Sequence, residues 1–375
     1  PLVIPSATEI TRDLVRIDSI NPPGREEQCA DYLGTLLQAG GFEVNRYEHA
    51  AGRTSLVARL EGESRKKAIC FGGHIDVVPL GEKPWSVEPF AADIIDGRLY
   101  GRGSCDMKSG VAAYVHMGLK LAREKCAAAD IVLIMAAGEE TGCDGSKYLQ
   151  ALGVLPDAGA MIIAEPTSNY PILGHRGSLW LNATVHGRTA HGSMPDLGDN
   201  AVYRAARLIT DLENFRFDVA PNALLGKTTL NVGTFHGGIN INSVPDKAIF
   251  SIDIRSIPEH GHDEIIDSLT QKLGEEVEFE RLVDVASVLT TADEPWVVEV
   301  FDLMEEFLGE PPGQRGAPYF TDAAALVPAC GDPPMIILGP GDMSVAHQTD
   351  EYCDVTKIEE AAQMFEAITR RWCEL

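Results

Sequence analysis

The sequence predicts an α/β fold with a mostly parallel central sheet, interrupted by a smaller α+β unit. Short, continuously apolar runs alternate with helical patterns along the first half of the 375 residues. Runs of this kind are typical of parallel strands that are buried on both faces. Between residues 177 and 285 the pattern changes, because the strands there become alternately apolar and polar. The chain is long enough for two units of ordinary domain size.

In the larger unit, each element is placed by its periodicity and by the residues that interrupt it. Residues 26–39 have helical spacing, and Gly40 and Gly41 end that helix. The apolar run 68–78 is interrupted by two glycines and stops at Pro79. Further helices are predicted at 107–124 and 357–372, and buried strands at 131–137, 160–164 and 335–338.

The interrupting unit is predicted at 177–285, between flanks 1–176 and 286–375 that form the larger domain. Its strands are predicted at 179–186, 229–235, 248–254 and 277–282, and its helices at 200–212 and 263–273. The order β-α-β-β-α-β is that of a ferredoxin-like unit. In the third strand Phe250 and Ile252 share one face with their apolar neighbours, whereas Asp253 and Arg255 point to the other. We therefore expect a sheet with helices behind it and an open front.

Composition excludes two classes of partner. The chain has 56 acidic and 31 basic residues, a formal charge of −25. Nucleic acids and anionic membranes both need a basic surface, so neither is expected to bind. No apolar stretch approaches the roughly 20 residues of a membrane span. The amino-terminal residues lack the basic start and apolar core of a signal peptide.

Cysteine usage predicts a reducing compartment. The eight cysteines are scattered without a C-x-x-C pair, and a chain of this length does not need disulfides. We expect reduced thiols and a cytoplasmic protein. The cysteines are Cys29, Cys70, Cys105, Cys126, Cys143, Cys330, Cys353 and Cys373.

Two of the candidate chemical motifs combine glycines with a potential metal ligand. His74 and Asp76 end an apolar strand and share one face, so the carboxylate can fix the tautomer of a ligating histidine. A purely structural His–Asp hydrogen bond is the alternative. Asp106 follows the glycine-rich start of 101–110 and is predicted in the first turn of the next helix, where a carboxylate is stabilised. There the alternative is a helix cap.

The remaining motifs place carboxylates and a histidine after strands. Glu139 and Glu140 directly follow the strand 131–137, and adjacent carboxylates are costly to bury unless a cation lies between them. Solvated loop glutamates are the alternative. Glu165 also stands at a strand end, and His347 lies in the last long loop. Taken singly, Glu165 and His347 also fit structural or exposed residues.

Taken together, two histidines and three carboxylates beyond the ends of parallel strands predict a metal site. Open α/β sheets bind ligands at the carboxyl ends of their strands. A mixed nitrogen and oxygen donor set suits zinc, cobalt or manganese better than calcium. One zinc ion needs fewer ligands, so the surplus predicts two divalent ions that share a carboxylate.

From about residue 10 to residue 370 the chain resembles a dinuclear metallopeptidase and amidohydrolase family. This family includes acetylornithine deacetylase, succinyl-diaminopimelate desuccinylase, aminoacylase and bacterial glutamate carboxypeptidases. The resemblance is carried, in this order, by G-G-H-I-D-V-V-P, G-R-G-S-C-D-M-K-S-G, G-E-E-T-G, A-E-P-T, G-R-T-A-H-G-S-M-P, G-G-I-N-I-N-S-V-P-D and A-H-Q.

The resemblance implies a division of the metal ligands. His74, Asp106 and Glu165 would hold one ion, and Asp106, Glu140 and His347 the other. Asp106 would then bridge the two ions, which are expected to be zinc, with cobalt or manganese as substitutes.

The resemblance also implies roles for three residues that are not ligands. Asp76 would orient its histidine and Glu139 would be the general base. The inserted unit would be the lid and dimerisation domain of a homodimer, and its His191 would reach the neighbouring subunit's site. Without the resemblance, His191 has the pattern of an exposed loop histidine.

Substrate contacts are expected from the inserted unit. By the resemblance, Arg255 and Asn242 would hold a substrate carboxylate, with Asn240 as a rival to Asn242. A guanidinium suits this task because it can donate two parallel hydrogen bonds, although an ordinary exposed arginine is the alternative. The segment 316–322 matches the family's substrate loop only loosely, and within it Thr321 is expected to contact substrate.

The predicted function is hydrolysis of the amide bond of an N-acyl amino acid or small peptide. In the family, a glutamate at the position of Glu165 goes with acylases and carboxypeptidases, and an aspartate with dipeptidases and aminopeptidases. A carboxypeptidase or dipeptidase with the same machinery is the nearby alternative. A non-catalytic binding protein is the remote one, and the complete ligand set argues against it.

Overall fold

The computed structural model describes residues 3–124 and 128–375, so Cys126 lies outside the described residues. The helices are α1 (Ala7–Val15), α2 (Glu27–Ala39), α3 (Lys108–Leu121), α4 (Asp144–Leu152), α5 (Ala201–Glu213), α6 (His262–Leu273), α7 (Pro295–Leu308), α8 (Ala323–Ala329) and α9 (Val355–Cys373). The strands are β1 (Glu43–Ala50), β2 (Arg53–Leu60), β3 (Ala68–His74), β4 (Ile94–Ile95), β5 (Arg98–Tyr100), β6 (Ile131–Ala136), β7 (Ala158–Ile163), β8 (Gly174–His175), β9 (Ser178–His186), β10 (Thr229–Gly237), β11 (Lys247–Arg255), β12 (Glu278–Val285), β13 (Val288–Leu289), β14 (Met335–Ile337) and β15 (Tyr352–Asp354).

The chain forms two compact units. The larger contains the residues up to Gly174 together with Leu289–Arg315 and Thr321–Leu375. The smaller contains His175–Val288 and Gly316–Phe320.

The larger unit contains a six-stranded sheet in the order β1-β2-β6-β3-β7-β14. Strands β6, β3, β7 and β14 run parallel, whereas β1 and β2 pair antiparallel at one edge. Every residue of β3 and β6 is buried, as expected for strands that are covered on both faces. The mostly parallel sheet is confirmed. The antiparallel strands β1 and β2 were not predicted from the sequence, because polar and charged residues interrupt the apolar pattern of both.

The parallel direction of these strands determines where the predicted ligands meet. His74 is the last residue of β3, and Glu139 and Glu165 follow β6 and β7 by a few residues. The carboxyl ends of β6, β3 and β7, which are neighbours, lie at one edge of the sheet. The loop that contains His347 follows β14 at the same edge.

The smaller unit has the predicted β-α-β-β-α-β order. Its sheet is entirely antiparallel, in the order β10-β11-β9-β12. Along β11 buried and partly exposed residues alternate, and Phe250 and Ile254 lie in the buried cluster that α5 and α6 cover. Asn200 caps α5 through its side chain. The one-sided sheet with an open front is confirmed.

The sequence-based position of Asp106 was wrong. Helix α3 begins at Lys108, and Asp106 precedes the N-cap residue Met107 instead of lying in the first helical turn. The cause is a hydrogen bond from the backbone N–H of Asp106 to the buried Glu351 carboxylate. This bond, and similar ones from Gly103 and Cys105, hold the segment as a turn.

Two observations concern the setting of the protein. Within residues 3–124 and 128–375, no helix combines the length and apolar character needed to cross a bilayer. In the same residues, seven cysteines are present as free, buried thiols.

Candidate metal centre

His74 stands at the centre of a buried polar cluster in the larger unit. Its Nδ1 lies 3.0 Å from the backbone oxygen of Asp76 and 3.4 Å from that residue's Oδ1. These acceptors favour a proton on Nδ1, which leaves the lone pair of Nε2 for a cation. Nε2 points to Oδ1 of Asp106 at 3.1 Å.

Asp106 is shared by two histidines, each facing a different carboxylate oxygen. Oδ1 faces His74, and Oδ2 lies 3.2 Å from Nε2 of His347. The two imidazoles outweigh burial and hold the pKa of the Asp106 carboxyl below its usual range. A carboxylate placed between two ligands in this way has the geometry required to bridge two cations.

Two further carboxylates complete the cluster. Oε1 of Glu140 lies 3.2 Å from Nε2 of His347, and Oε1 of Glu165 lies 3.8 Å from Nε2 of His74. Ligand atoms of His74, Asp106 and Glu140 all lie within 4.8 Å of one another. These distances leave room for a cation between the donor atoms.

Asp76 also holds the loop that carries the glutamate pair. Its Oδ1 accepts the backbone N–H of Glu139 at 3.1 Å, and its Oδ2 accepts that of Glu140 at 3.2 Å. The loop enters through Gly138, whose φ of 76° favours glycine and where a Cβ atom would lie 2.7 Å from Nη2 of Arg53. Asp76 thus couples the histidine of one strand end to the carboxylates of the next.

Glu139 is buried, and its Oε2 lies 3.9 Å from Nε2 of His74. Burial raises the pKa of its carboxyl well above the usual value, and repulsion from Glu165 adds to this effect. Burial raises the pKa of Glu165 and of Glu140 as well, and repulsion from Asp106 adds to it in both.

The pKa values of the two histidines are raised as well, and here the neighbouring carboxylates are responsible. Hydrogen bonds to Asp106 and Glu140 raise the pKa of His347 to about 10. Burial would lower the pKa of His74, but Asp106 and Asp76 outweigh it and raise that pKa well above its usual value. These raised pKa values have a common cause, because the cluster contains more buried carboxylates than its histidines can neutralise. Divalent cations would neutralise the surplus negative charge, so the donor set fits the predicted metals.

Three buried residues near the cluster were not identified from the sequence. Asn21 donates from Nδ2 to Oδ2 of Asp76 at 2.9 Å. Arg102 and Glu351 form an ion pair of 2.5 Å, and each is about 1% exposed. The available signals were weak: a charged residue within a glycine-rich turn for Arg102, and a position four residues after His347 for Glu351.

In the smaller unit, the structure brings His191 close to Asn242. His191 forms a β-bridge with Ser243, and the N–H of Gly192 donates to the carbonyl of Asn242 at 2.8 Å. The His191 ring is exposed and contacts the Ser193 hydroxyl at 2.8 Å. Asn240 and Asn242 are both exposed, so burial does not choose between them.

Arg255 lies at the end of β11 on the open face of the small sheet. Its Nε lies 3.0 Å from Oδ1 of Asp253, which also accepts a hydrogen bond from Nε1 of Trp180 at 3.0 Å. The guanidinium is therefore oriented by its neighbour two residues back.

Thr321 belongs to the larger unit and is fully buried. Its hydroxyl accepts the N–H of Ala323 at 3.1 Å, at the start of α8. Its carbonyl accepts the thiol of Cys143 at 3.6 Å. Its substrate contact stays a prediction, and these bonds give the residue a structural role as well.

Comparison with known proteins identifies relatives along most of the chain. The model of the family described as "Peptidase family M20/M25/M40" matches residues 70–371 of this chain. A probable succinyl-diaminopimelate desuccinylase of Staphylococcus aureus is 28% identical over 397 residues, covering 96% of this chain and 97% of that protein. An acetylornithine deacetylase of Myxococcus xanthus is 30% identical over 365 residues, with 92% and 91% covered.

Solved structures show the same fold. An M20 family metallo-carboxypeptidase from Sulfolobus solfataricus superposes with a TM-score of 0.81 at 20% identity, covering 98% of this chain and 99% of that one. A tripeptidase from Staphylococcus aureus gives a TM-score of 0.76 at 22% identity, with 97% and 98% covered.

Proposed function

Because the chain belongs to peptidase family M20/M25/M40, a family of metal-dependent amide hydrolases, we propose that it removes the acyl group from N-acyl amino acids. The observation that carries the proposal is the Asp106 carboxylate, whose two oxygens face His74 and His347 inside a buried acidic cluster. His74, Asp106 and Glu165 would hold one ion, and Asp106, Glu140 and His347 a second. Zinc is the expected metal, and cobalt or manganese could replace it.

The metal ions, when bound, would supply a water of lowered pKa and polarise the scissile carbonyl. Glu139 would act as the general base toward the attacking water, because it is the cluster's remaining buried glutamate and is not needed as a ligand. It then donates the proton to the departing amine, acting first as base and then as acid. Asp76 keeps Glu139 in position through the backbone hydrogen bond at 3.1 Å.

Residues of the smaller unit bind the substrate carboxylate and stabilise the oxyanion. Arg255 holds the substrate's α-carboxylate, helped by Asn242 or Asn240, and keeps the scissile bond near the geometry of attack. His191 donates a hydrogen bond to the oxyanion of the partner subunit's substrate.

The acyl-amino-acid substrate rests on the Glu165 position and on the relatives named desuccinylase and deacetylase. A carboxypeptidase or dipeptidase with the same machinery is the second candidate. The two candidates are distinguished by measuring turnover of N-acetyl, N-succinyl and N-formyl amino acids and of unblocked dipeptides by the metal-loaded protein. Turnover of dipeptides alone would contradict deacylation and support the second candidate.

The Arg255 anchor predicts a loss that depends on the substrate's charge. Arg255→Ala should lower kcat/KM by about 10–150-fold for substrates with a free α-carboxylate, the equivalent of about 1.5–3 kcal/mol for a charge-assisted contact. Analogues with an amidated or esterified carboxylate should lose much less. Arg281→Ala is the matched control, since Arg281 lies on β12 of the same unit, pairs with Asp263 and Asp284, and has no proposed contact with substrate. Equal losses for both kinds of substrate would make Arg255 structural.

We also infer that the smaller unit forms the interface of a homodimer. Strand β10 is an edge of its sheet, and edge strands pair readily with a partner. Tyr203 and Phe235 are exposed on α5 and β10, and Ile239 is 89% exposed in the loop that follows β10. Large apolar side chains that are exposed beside an edge strand favour an interaction surface in this unit. We expect a two-fold homodimer in which His191 serves the partner's site.

The homodimer predicts complementation between two inactive proteins. When His191→Ala and Glu139→Ala subunits are mixed and reassembled, half of the dimers should be mixed. Each mixed dimer has one site that combines an intact Glu139 with an intact His191. Activity should therefore return to about a quarter of the wild-type value. If subunit exchange is confirmed but no activity returns, His191 does not act across the dimer.

A reducing, cytoplasmic setting is proposed from the buried free thiols. Alkylation of the unfolded protein without a reductant should modify every cysteine. A shortfall of two thiols would reveal a disulfide and contradict this setting.

A further inference from the structure

We propose that the buried ion pair between Arg102 and Glu351 positions ligands of the metal centre. The pair would set the spacing of Asp106 and His347, and would thereby control how tightly the ion on the His347 side is bound. The inference rests on the two-metal site of the proposed function. It adds two residues that touch neither substrate nor metal in that scheme.

The Glu351 side chain accepts hydrogen bonds from the backbone of the turn that contains Asp106. Its Oε1 accepts the N–H groups of Gly103 at 3.1 Å, Cys105 at 2.9 Å and Asp106 at 3.0 Å. All three distances are ordinary for N–H···O hydrogen bonds. Three of them meet on one buried oxygen, so the Glu351 side chain determines where the Asp106 backbone lies.

Arg102 makes the corresponding contacts to the other loops. Its Nη1 lies 2.5 Å from Oε2 of Glu351 and donates to the carbonyl of Gln348 at 3.2 Å. Its Nη2 donates to the carbonyl of His347 at 3.4 Å and to that of Pro79 at 3.1 Å. One guanidinium thus joins the His347 loop to the segment that follows His74 and to the carboxylate behind Asp106.

The His347 loop needs such a restraint because its backbone is strained. His347 has a φ of 62° and Asp350 a φ of 61°, in the left-handed region that non-glycine residues avoid. Such residues cost on the order of 1–3 kcal/mol each and persist only where their surroundings hold them. Arg102 holds the loop at His347 and Gln348, and Glu351 holds it at its other end.

The two metal positions depend unequally on this pair. The ion on the His347 side has three proposed ligands, and the pair positions two of them, Asp106 and His347. The other ion shares only Asp106 among the ligands that the pair positions directly. Replacing a residue that orients a ligand typically lowers metal affinity 10–100-fold. We therefore expect a selective loss at the His347 side.

The test is a stepwise Zn²⁺ titration of metal-free protein, followed by competition with a chromophoric chelator. Glu351→Gln keeps the shape and one acceptor oxygen, but it turns an NH₂ group toward the Arg102 guanidinium. The wild-type protein should bind two ions. The variant should bind one of the two ions, which we expect to be the ion on the His347 side, 10–100-fold less tightly, with a smaller change at the other position.

A matched control is Asp130→Asn. Asp130 is also a buried carboxylate that pairs with an arginine, Arg59, and accepts a backbone N–H, that of Gly62 at 2.8 Å. It precedes β6 at the end of the strand opposite Glu139, so its loss should affect stability and leave both zinc affinities unchanged.

His347→Ala identifies which ion is affected. This variant should lose the His347-side ion, and adding Glu351→Gln to it should then change the remaining affinity only slightly.

A second variant, Arg102→Lys, tests the inference if Glu351→Gln does not fold. It keeps the charge beside Glu351 but cannot span the carbonyls of His347, Gln348 and Pro79, so the same selective loss is expected. Two unchanged zinc affinities in a folded variant would overturn the inference while the two-metal proposal stands. A wild-type protein that binds only one ion would overturn both.

Discussion

Replacing Glu139 by alanine is expected to lower kcat by about 10²–10⁴-fold, with little change in metal content. A general base contributes about this factor, and Glu139 is also proposed to return the proton to the leaving amine. Asp76 is not a substitute base, because its carboxylate accepts the backbone N–H groups of Glu139 and Glu140. Steady-state kinetics and metal analysis of the same samples measure both quantities.

Glu140→Ala is the matched comparison, one residue away and in the same loop. It removes the carboxylate whose Oε1 lies 3.2 Å from Nε2 of His347, so one ion per chain should be lost. If Glu139→Ala lost the ion and Glu140→Ala kept both, the two roles would be reversed. Loss of both ions in both variants would mean that the loop has collapsed.

Removing the metals is expected to abolish turnover. Both the lowered pKa of the attacking water and the polarised carbonyl depend on the ions, and no other group of the cluster supplies them. Zinc, cobalt or manganese should restore activity, and metal content should approach two ions per chain at saturation. Full activity in protein whose metal content has been verified near zero would contradict the mechanism.

Metal binding should also depend on pH, and the affinity for zinc should increase as the pH rises. The pKa of His347 is raised from its ordinary value to about 10, so at pH 7 its imidazole is protonated in the metal-free protein. A histidine must be neutral to act as a ligand, so the ion that binds at His347 must displace a proton. Zinc affinity should therefore rise with pH up to about 10. Calorimetry at pH 7 in two buffers of different ionisation enthalpy should detect proton release, and its absence would contradict the assignment of His347.

Much of the fold follows from short-range pattern. The apolar runs at 131–137 and 160–164 predicted strands within two residues of their observed bounds, because a strand covered on both faces must be apolar throughout. The alternation along β11 predicted its buried face, because only one face of that strand is covered by helices. The antiparallel strands β1 and β2 and the helix α4 had no such signal, because polar and charged residues are spread along each of them.

By itself, the sequence determined which residue types could form the site and at which strand ends they stand. His74, Glu139 and Glu165 follow buried strands, and parallel strands bring such residues to one edge whatever the rest of the chain does. Glycine-rich spacing and paired carboxylates were visible without coordinates.

Only the tertiary structure decided how these residues are held. Glu351 lies 245 positions from Asp106 in the chain yet accepts its N–H, and Asn21 lies 55 positions from the Asp76 carboxylate that it contacts. Sequence pattern cannot reveal such partners, because a buried hydrogen bond depends on distance in space and has no periodicity along the chain. The same limit applies to Asp106, whose place before α3 is decided by a carboxylate that the chain reaches only near its carboxyl terminus.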